Sequence, residues 1–153
     1  MNEGAKDFRT GQAFTHTVFF DENVDIHHIF PKAWCKSQGI DSKVYDSIIN
    51  KTPLTSRTNR IIGGSAPSAY LKALEGGDAK SAPTHREEID TRLRTHLIDP
   101  NLLHSDGFDE FMKSRQAALV RLIELATGKS VIPESSSIEF EEYADEDDED
   151  VAA

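Results

Sequence analysis

The chain has 153 residues, 37% of them hydrophobic, with 17 Lys and Arg against 27 Asp and Glu for a net charge of −10. That is room for one domain of ordinary size with part of the chain left outside its core. No apolar run approaches the ~18 residues of a membrane helix, the N-terminal stretch lacks the apolar segment of a signal peptide, and the one cysteine, Cys35, excludes an internal disulfide and a CxxC zinc site, so a cytosolic protein is expected.

Ten of the acids and no base fall in residues 134–153, which leaves residues 1–133 balanced at 17 charges of each sign. The acidic character therefore belongs to the tail, which is expected to be disordered. There is no internal repeat and no GxGxxG or P-loop glycine pattern, hence no visible nucleotide site.

Residues 1–13 read as a flexible lead-in, and residues 14–133 as the folded domain. From Phe14 to Phe30 β-branched and aromatic residues dominate, which predicts two short strands around an Asp21-Glu22-Asn23 turn, the second ended by Pro31. A short helical turn follows at Lys32–Gln38, stopped by Gly39. Ile48-Ile49 is a further strand candidate, punctuated by Pro53. Ser56–Ile62 fits two helical turns ended by Gly63-Gly64, and Pro67 suits the first turn of a helix through Leu74 with Gly76-Gly77 as its stop. Thr84 and Glu87 form a T-x-x-E capping box that opens a helix to about Ile98, broken by Asp99-Pro100. A last helix is predicted from Phe108 to Thr127, with a core-facing stripe of Phe108, Phe111, Met112, Leu119, Leu122, Ile123 and Ala126 and Gly128 as its stop.

The chemistry concentrates in Val24–Pro31, V-D-I-H-H-I-F-P. Two adjacent histidines sit in a strand-like stretch; Asn50 follows Ile48-Ile49, and Asn59 lies in the next short helix. The order is strand with His-His, loop, strand with Asn, helix with Asn. This pattern, H-H-I-F-P, then S-I-I-N-K-T-P-L-T, then T-N-R, resembles the HNH nuclease motif, the ββα-metal (His-Me finger) fold. Together with I-I-G-G-S-A-P-S-A-Y-L and R-T-H-L-I-D-P, it is similar over roughly residues 15–128 to the C-terminal nuclease part of GmrSD-type modification-dependent restriction proteins.

The resemblance implies an α+β fold, a ββα-metal core backed by helices, and metal-dependent endonucleolytic cleavage of DNA in restriction or defence. On it, His28 matches the general base, His27 and Asn59 the metal ligands, and Asn50 the middle Asn, which fixes the loop around the base. It implies one divalent ion, Mg²⁺ or Mn²⁺, with waters and phosphate oxygens completing its shell. His27 stands where many relatives carry Asp, and a softer imidazole ligand also admits Co²⁺, Ni²⁺ or Zn²⁺. In that family the nuclease usually follows an NTPase-like domain, which this sequence lacks, so such a recognition domain or subunit is an expected partner. A homodimer is another, since a one-site domain needs two copies to cut both strands.

Elementary chemistry fits these roles. A neutral imidazole near pH 7 can deprotonate water, and a divalent cation can offset charge on the phosphate and on the departing alkoxide. Neighbours on a regular strand point to opposite faces, so His27 and His28 serve one phosphate only if the strand twists or ends there. Residues 32–72 carry Lys32, Lys36, Lys43, Lys51, Arg57, Arg60 and Lys72 against Asp41 and Asp46. Such a basic gathering suits a phosphate backbone, with Arg57, Arg60, Lys51 and Lys32 as the contact candidates. His16, His85, His96 and His104 read as structural, and Cys35 as inert. The runner-up readings are a catalytically silent nucleic-acid- or partner-binding module on the same fold, and a ribonuclease-type toxin.

Overall fold

The computed structural model describes residues 4–15, 23–77, 79 and 82–131. The first predicted strand from His16 onward, most of its turn and the acidic tail lie outside the described residues. The remainder is a mixed α+β body: strand β1 (Val24–His28), helices α1 (Lys32–Ser37) and α2 (Ser42–Tyr45), a 3-10 turn (Ile48–Asn50), strand β2 (Lys51–Thr55), then α3 (Ser56–Ile62), α4 (Pro67–Gly76), α5 (Arg86–Arg94), α6 (Pro100–His104) and α7 (Phe108–Thr127). Among these, no helix is long and apolar enough to cross a membrane.

The two strands form an antiparallel pair, from Val24 opposite Thr55 to His28 opposite Lys51. The expected strand at Ile48-Ile49 is instead the 3-10 turn. The Ser47 hydroxyl accepts a bond from Ile49 N at 3.2 Å and the Ser47 carbonyl one from Asn50 N at 3.0 Å, so the backbone closes on itself before it extends. Pairing therefore starts three residues later and runs through Pro53, opposite Ile26. Because Ile29 N bonds Asn50 O at 2.9 Å, the alternation of an antiparallel ladder puts Pro53 at a position that makes no ladder bond.

Local chemistry sets the helices. The Thr55 hydroxyl caps α3 by accepting from Thr58 N, and Gly63, at φ 54, ends it. Pro67 opens α4, and Gly128, at φ 67, ends α7. The Thr84 capping box does not form: Thr84 N donates to Glu75 O at 3.1 Å, which ties this residue to the end of α4, and α5 starts at Arg86 after an uncapped His85. That helix stops at Arg94, short of Ile98, because Leu97 takes a φ of 60. Asp99 breaks one helix and starts the next, its carboxylate accepting from Asn101 N at the head of α6.

The core forms where the helices meet the sheet: Ile29, Phe30, Leu54, Ile62, Tyr70, Leu71, Ile89, Leu93, Leu103 and Phe111 are all buried. The Phe30 ring lies 4.9 Å from Phe111 and 5.2 Å from both Trp34 and Phe108. The predicted stripe of α7 is buried only at its N-terminal end; Leu122 and Ile123 are exposed. The lead-in also differs from expectation over residues 4–13. Phe8 and Asp7 are wholly buried, and the Asp7 carboxylate accepts from Thr10 N, Thr55 N and the hydroxyls of Thr55 and Thr58. A polar, glycine-containing segment is thus pinned by one buried carboxylate to the β2–α3 junction.

Candidate functional site

β1 ends at His28, and the next two residues turn into the core. Asn50 makes that turn. Its side chain, wholly buried, accepts from Phe30 N at 2.9 Å and donates to Phe30 O and Tyr45 O, each at 3.0 Å. One carboxamide thereby ties the chain after His28 to the loop after α2. Arg115, buried on α7, braces the same strand junction by donating to the carbonyls of Ile48, Ile49, Lys51 and His96. Burial lowers its pKa to about 10.

The two histidines face differently. His27, opposite Thr52, shares one face of the sheet with it, and His28, opposite Lys51, shares the other; the strand ends at His28, so one phosphate can reach both rings only around that end. Both rings are half-buried. The His28 Nε2 lies 2.8 Å from Asp46 Oδ1, and the Tyr45 ring stands edge-on at 6.2 Å. Asp46 is held below the ordinary carboxylate range, first by the hydrogen bond from His28 and further by the charges of Lys32 and Lys51. Lys32 and Lys51, two of the candidate phosphate contacts, therefore lie close enough to Asp46 for their charges to act on it.

His27 has no such partner. Its Nε2 is buried without a hydrogen bond among the described residues. Burial lowers its pKa against the opposing charge of Asp25, and His28 adds to the lowering. A neutral imidazole with an unengaged buried nitrogen is unusual in a protein interior, where polar atoms are nearly always bonded, and it is the form that binds a divalent cation. By that test the residues fit a metal.

Asn59 is half-buried on α3, which packs against both strands, and its carboxamide has no hydrogen-bond partner among the described residues. Arg57 and Arg60 share that helix, Arg57 half-buried and Arg60 exposed. Among the described residues no three His, Cys, Asp or Glu side chains converge as a metal group. An ion here would rest on an imidazole, a carboxamide and oxygens from outside the protein.

The other described histidines differ in kind. His96 is buried with both nitrogens engaged, Nδ1 with Thr52 Oγ1 at 2.5 Å and Nε2 with Lys6 O at 2.7 Å. His104 pairs with Asp90 at 2.8 Å, and His85 stands at the head of α5. Burial raises the Cys35 thiol to about 11, which keeps it protonated. Tyr70 is core, its hydroxyl donating to Ile29 O at 2.9 Å, and Trp34 sits at the rim. Asp46 is the residue the sequence did not single out; there it was only one of two acids in a basic stretch.

No family model and no solved structure matches this chain. Among curated proteins it is similar to the uncharacterized protein MJ0686 of Methanocaldococcus jannaschii, 44% identical over an alignment of 117 residues that covers 63% of this chain and 20% of the relative. The chain thus spans about a fifth of the length of that relative.

Proposed function

We propose that this chain is a metal-dependent HNH endonuclease that hydrolyses DNA phosphodiester bonds in restriction or defence. The observation that carries the reading is the ββα unit itself. Two half-buried histidines end one strand, its partner strand leads directly into the helix that bears Asn59, and among the described residues neither the Asn59 carboxamide nor the buried His27 Nε2 has a hydrogen-bond partner.

In this reading His28 takes a proton from the attacking water. His27 Nε2 and the Asn59 oxygen hold the cation, Mg²⁺ or Mn²⁺, with Co²⁺, Ni²⁺ or Zn²⁺ as substitutes for an imidazole-bearing site. Such an ion, when bound, offsets charge on the phosphate and on the departing oxygen. Lys32 and Lys51 flank His28 and receive the phosphate, while Arg57 and Arg60 extend the basic surface along α3. Asn50 touches no substrate; it holds the loop on which the base stands. By the family pattern the products carry 5′-phosphate and 3′-hydroxyl ends. The matched stretch makes up only 20% of the relative, which supports assigning target choice to a recognition or NTPase partner outside this segment.

Nicking of supercoiled plasmid in Mg²⁺ or Mn²⁺ tests the proposal. The parent protein is expected to nick and His28→Ala to lose about 100- to 10,000-fold in rate, the usual worth of a general base, with an unchanged melting temperature. A variant that cuts as fast as the parent refutes the assignment of the base.

A further inference from the structure

We propose that Asp46 is a positioning residue for this hydrolysis: its carboxylate accepts from His28 Nε2, fixes the imidazole as the Nε2–H tautomer, and leaves the Nδ1 lone pair to receive the proton of the attacking water. The inference rests on the nuclease reading and adds to it a partner for the base.

The contact is short and well supported. His28 Nε2 and Asp46 Oδ1 are 2.8 Å apart, and Tyr45 limits the ring from the side at 6.2 Å. The pair is also pre-set by the backbone. Asn50 Nδ2 donates to Tyr45 O, the carbonyl of the peptide bond that enters Asp46, and Asn50 bonds both backbone groups of Phe30, two residues beyond His28. A single buried side chain thus fixes the relative position of base and acid. Asp46 N donates to Ser42 O at 2.9 Å, which fixes its own backbone at the end of α2.

An imidazole can be lone pair at one nitrogen only if the other carries the proton, and the acceptor beside it decides which. A carboxylate is an acceptor alone when ionised, and the hydrogen bond from His28, helped by the charges of Lys32 and Lys51, favours that form of Asp46. The same lysines offset its charge toward an incoming phosphate. In the step itself the water oxygen bonds phosphorus, its proton passes to His28 Nδ1, and the bond to the 3′ oxygen breaks. That oxygen keeps the electron pair and takes a proton from solvent. The resulting imidazolium donates from Nε2 to Asp46, so the carboxylate stabilises the charge that develops on the ring.

Two measurements test this on the full chain. The first is nitrogen NMR of ¹⁵N-histidine-labelled protein at about pH 8, above the ordinary imidazole pKa, with the His28 signals assigned by their loss in His28→Gln. The parent is expected to show the Nε2–H tautomer, and Asp46→Ala to move His28 toward a mixture of tautomers. The second is plasmid nicking. Asp46→Ala is expected to lower kcat about 10- to 100-fold, as loss of a partner that orients a functional histidine does, with KM and melting temperature near the parent's. Asp46→Asn, whose carboxamide oxygen still accepts, is expected to recover part of the rate. An unchanged His28 tautomer in Asp46→Ala overturns the proposal. So does a kcat equal to or above the parent's, which would make Nε2 the base and Asp46 its obstruction. A parent that fails to nick while its tautomer still follows Asp46 overturns the catalytic role through the nuclease reading, and the spectrum tells that failure from loss of the pairing.

Discussion

Thr52 has a histidine on either side of it, and the two are treated in opposite ways. Across the strand pair stands His27, half-buried, with an Nε2 that bonds nothing among the described residues. Within its hydrogen-bonding reach lies His96, buried, with one nitrogen on the Thr52 hydroxyl and the other on a backbone carbonyl. Phe8 packs on the His96 ring at 4.8 Å. Both imidazoles are driven toward neutrality by burial. They differ in whether the fold has used their nitrogens. His96 joins α5 to β2 and the N-terminal loop, and it has no valence left for a ligand. His27 has such a valence, in a place where an unused polar atom costs stability.

The comparison sharpens most at Asn50, which belongs to the structural side although it sits in the motif. Asn50→Ala would leave Phe30 N and Tyr45 O unbonded in the core and Phe30 O with only the weak Cys35 thiol donor, a loss on the order of 4 kcal/mol in denaturant unfolding given the usual penalty for each buried orphan. Nicking should fall with it, since both His28 and Asp46 lose their anchor. A variant of near-parental stability would show that the clamp does not hold the loop.

The next effect belongs to His96, whose pKa is pushed down to about 4 by burial, with help from the Arg115 charge and against the Lys6 carbonyl and Asp7. The unfolded chain takes up a proton near pH 6.5, whereas the folded one resists until about pH 4. Between those values the unfolded state binds more protons, so stability falls as pH drops through the window and levels off below it. The loss should amount to about 3 kcal/mol between pH 7 and pH 4. Melts across that range should show it, and His96→Gln should flatten the slope; equal slopes in parent and variant would remove His96 as the cause.

Much of this division was legible in the sequence, for identifiable reasons. Glycine and proline mark chain reversals by their own backbone limits, so Gly63, Pro67 and Gly128 placed the ends of α3, α4 and α7. The spacing of His27, His28, Asn50 and Asn59 was visible because a motif is local in sequence. What failed depended on one local turn and on more distant partners. The turn at Ser47 moved β2 by three residues, the end of α4 recruited Thr84 N from its capping box, and Asp7 drew the lead-in onto Thr55 and Thr58, 48 and more residues away. Asp46 carried no signal of its own, since an acid among lysines reads as ordinary surface until its distance to His28 is known.

The smallest effect is the one that discriminates best. If His27 Nε2 is kept unbonded for the sake of a ligand, then removing it should relieve the protein. His27→Leu keeps an apolar ring-sized contact beside Thr52 and deletes the orphan nitrogen, so the variant should equal or exceed the parent in stability by about 1 kcal/mol while losing metal-dependent nicking. His96→Leu, by contrast, breaks two bonds and should lower stability by a few kcal/mol under the same conditions. Thermal melts of the two variants side by side give opposite signs if the distinction is real. A destabilised His27→Leu would mean that the nitrogen is already engaged in the fold, and that His27 belongs with His96.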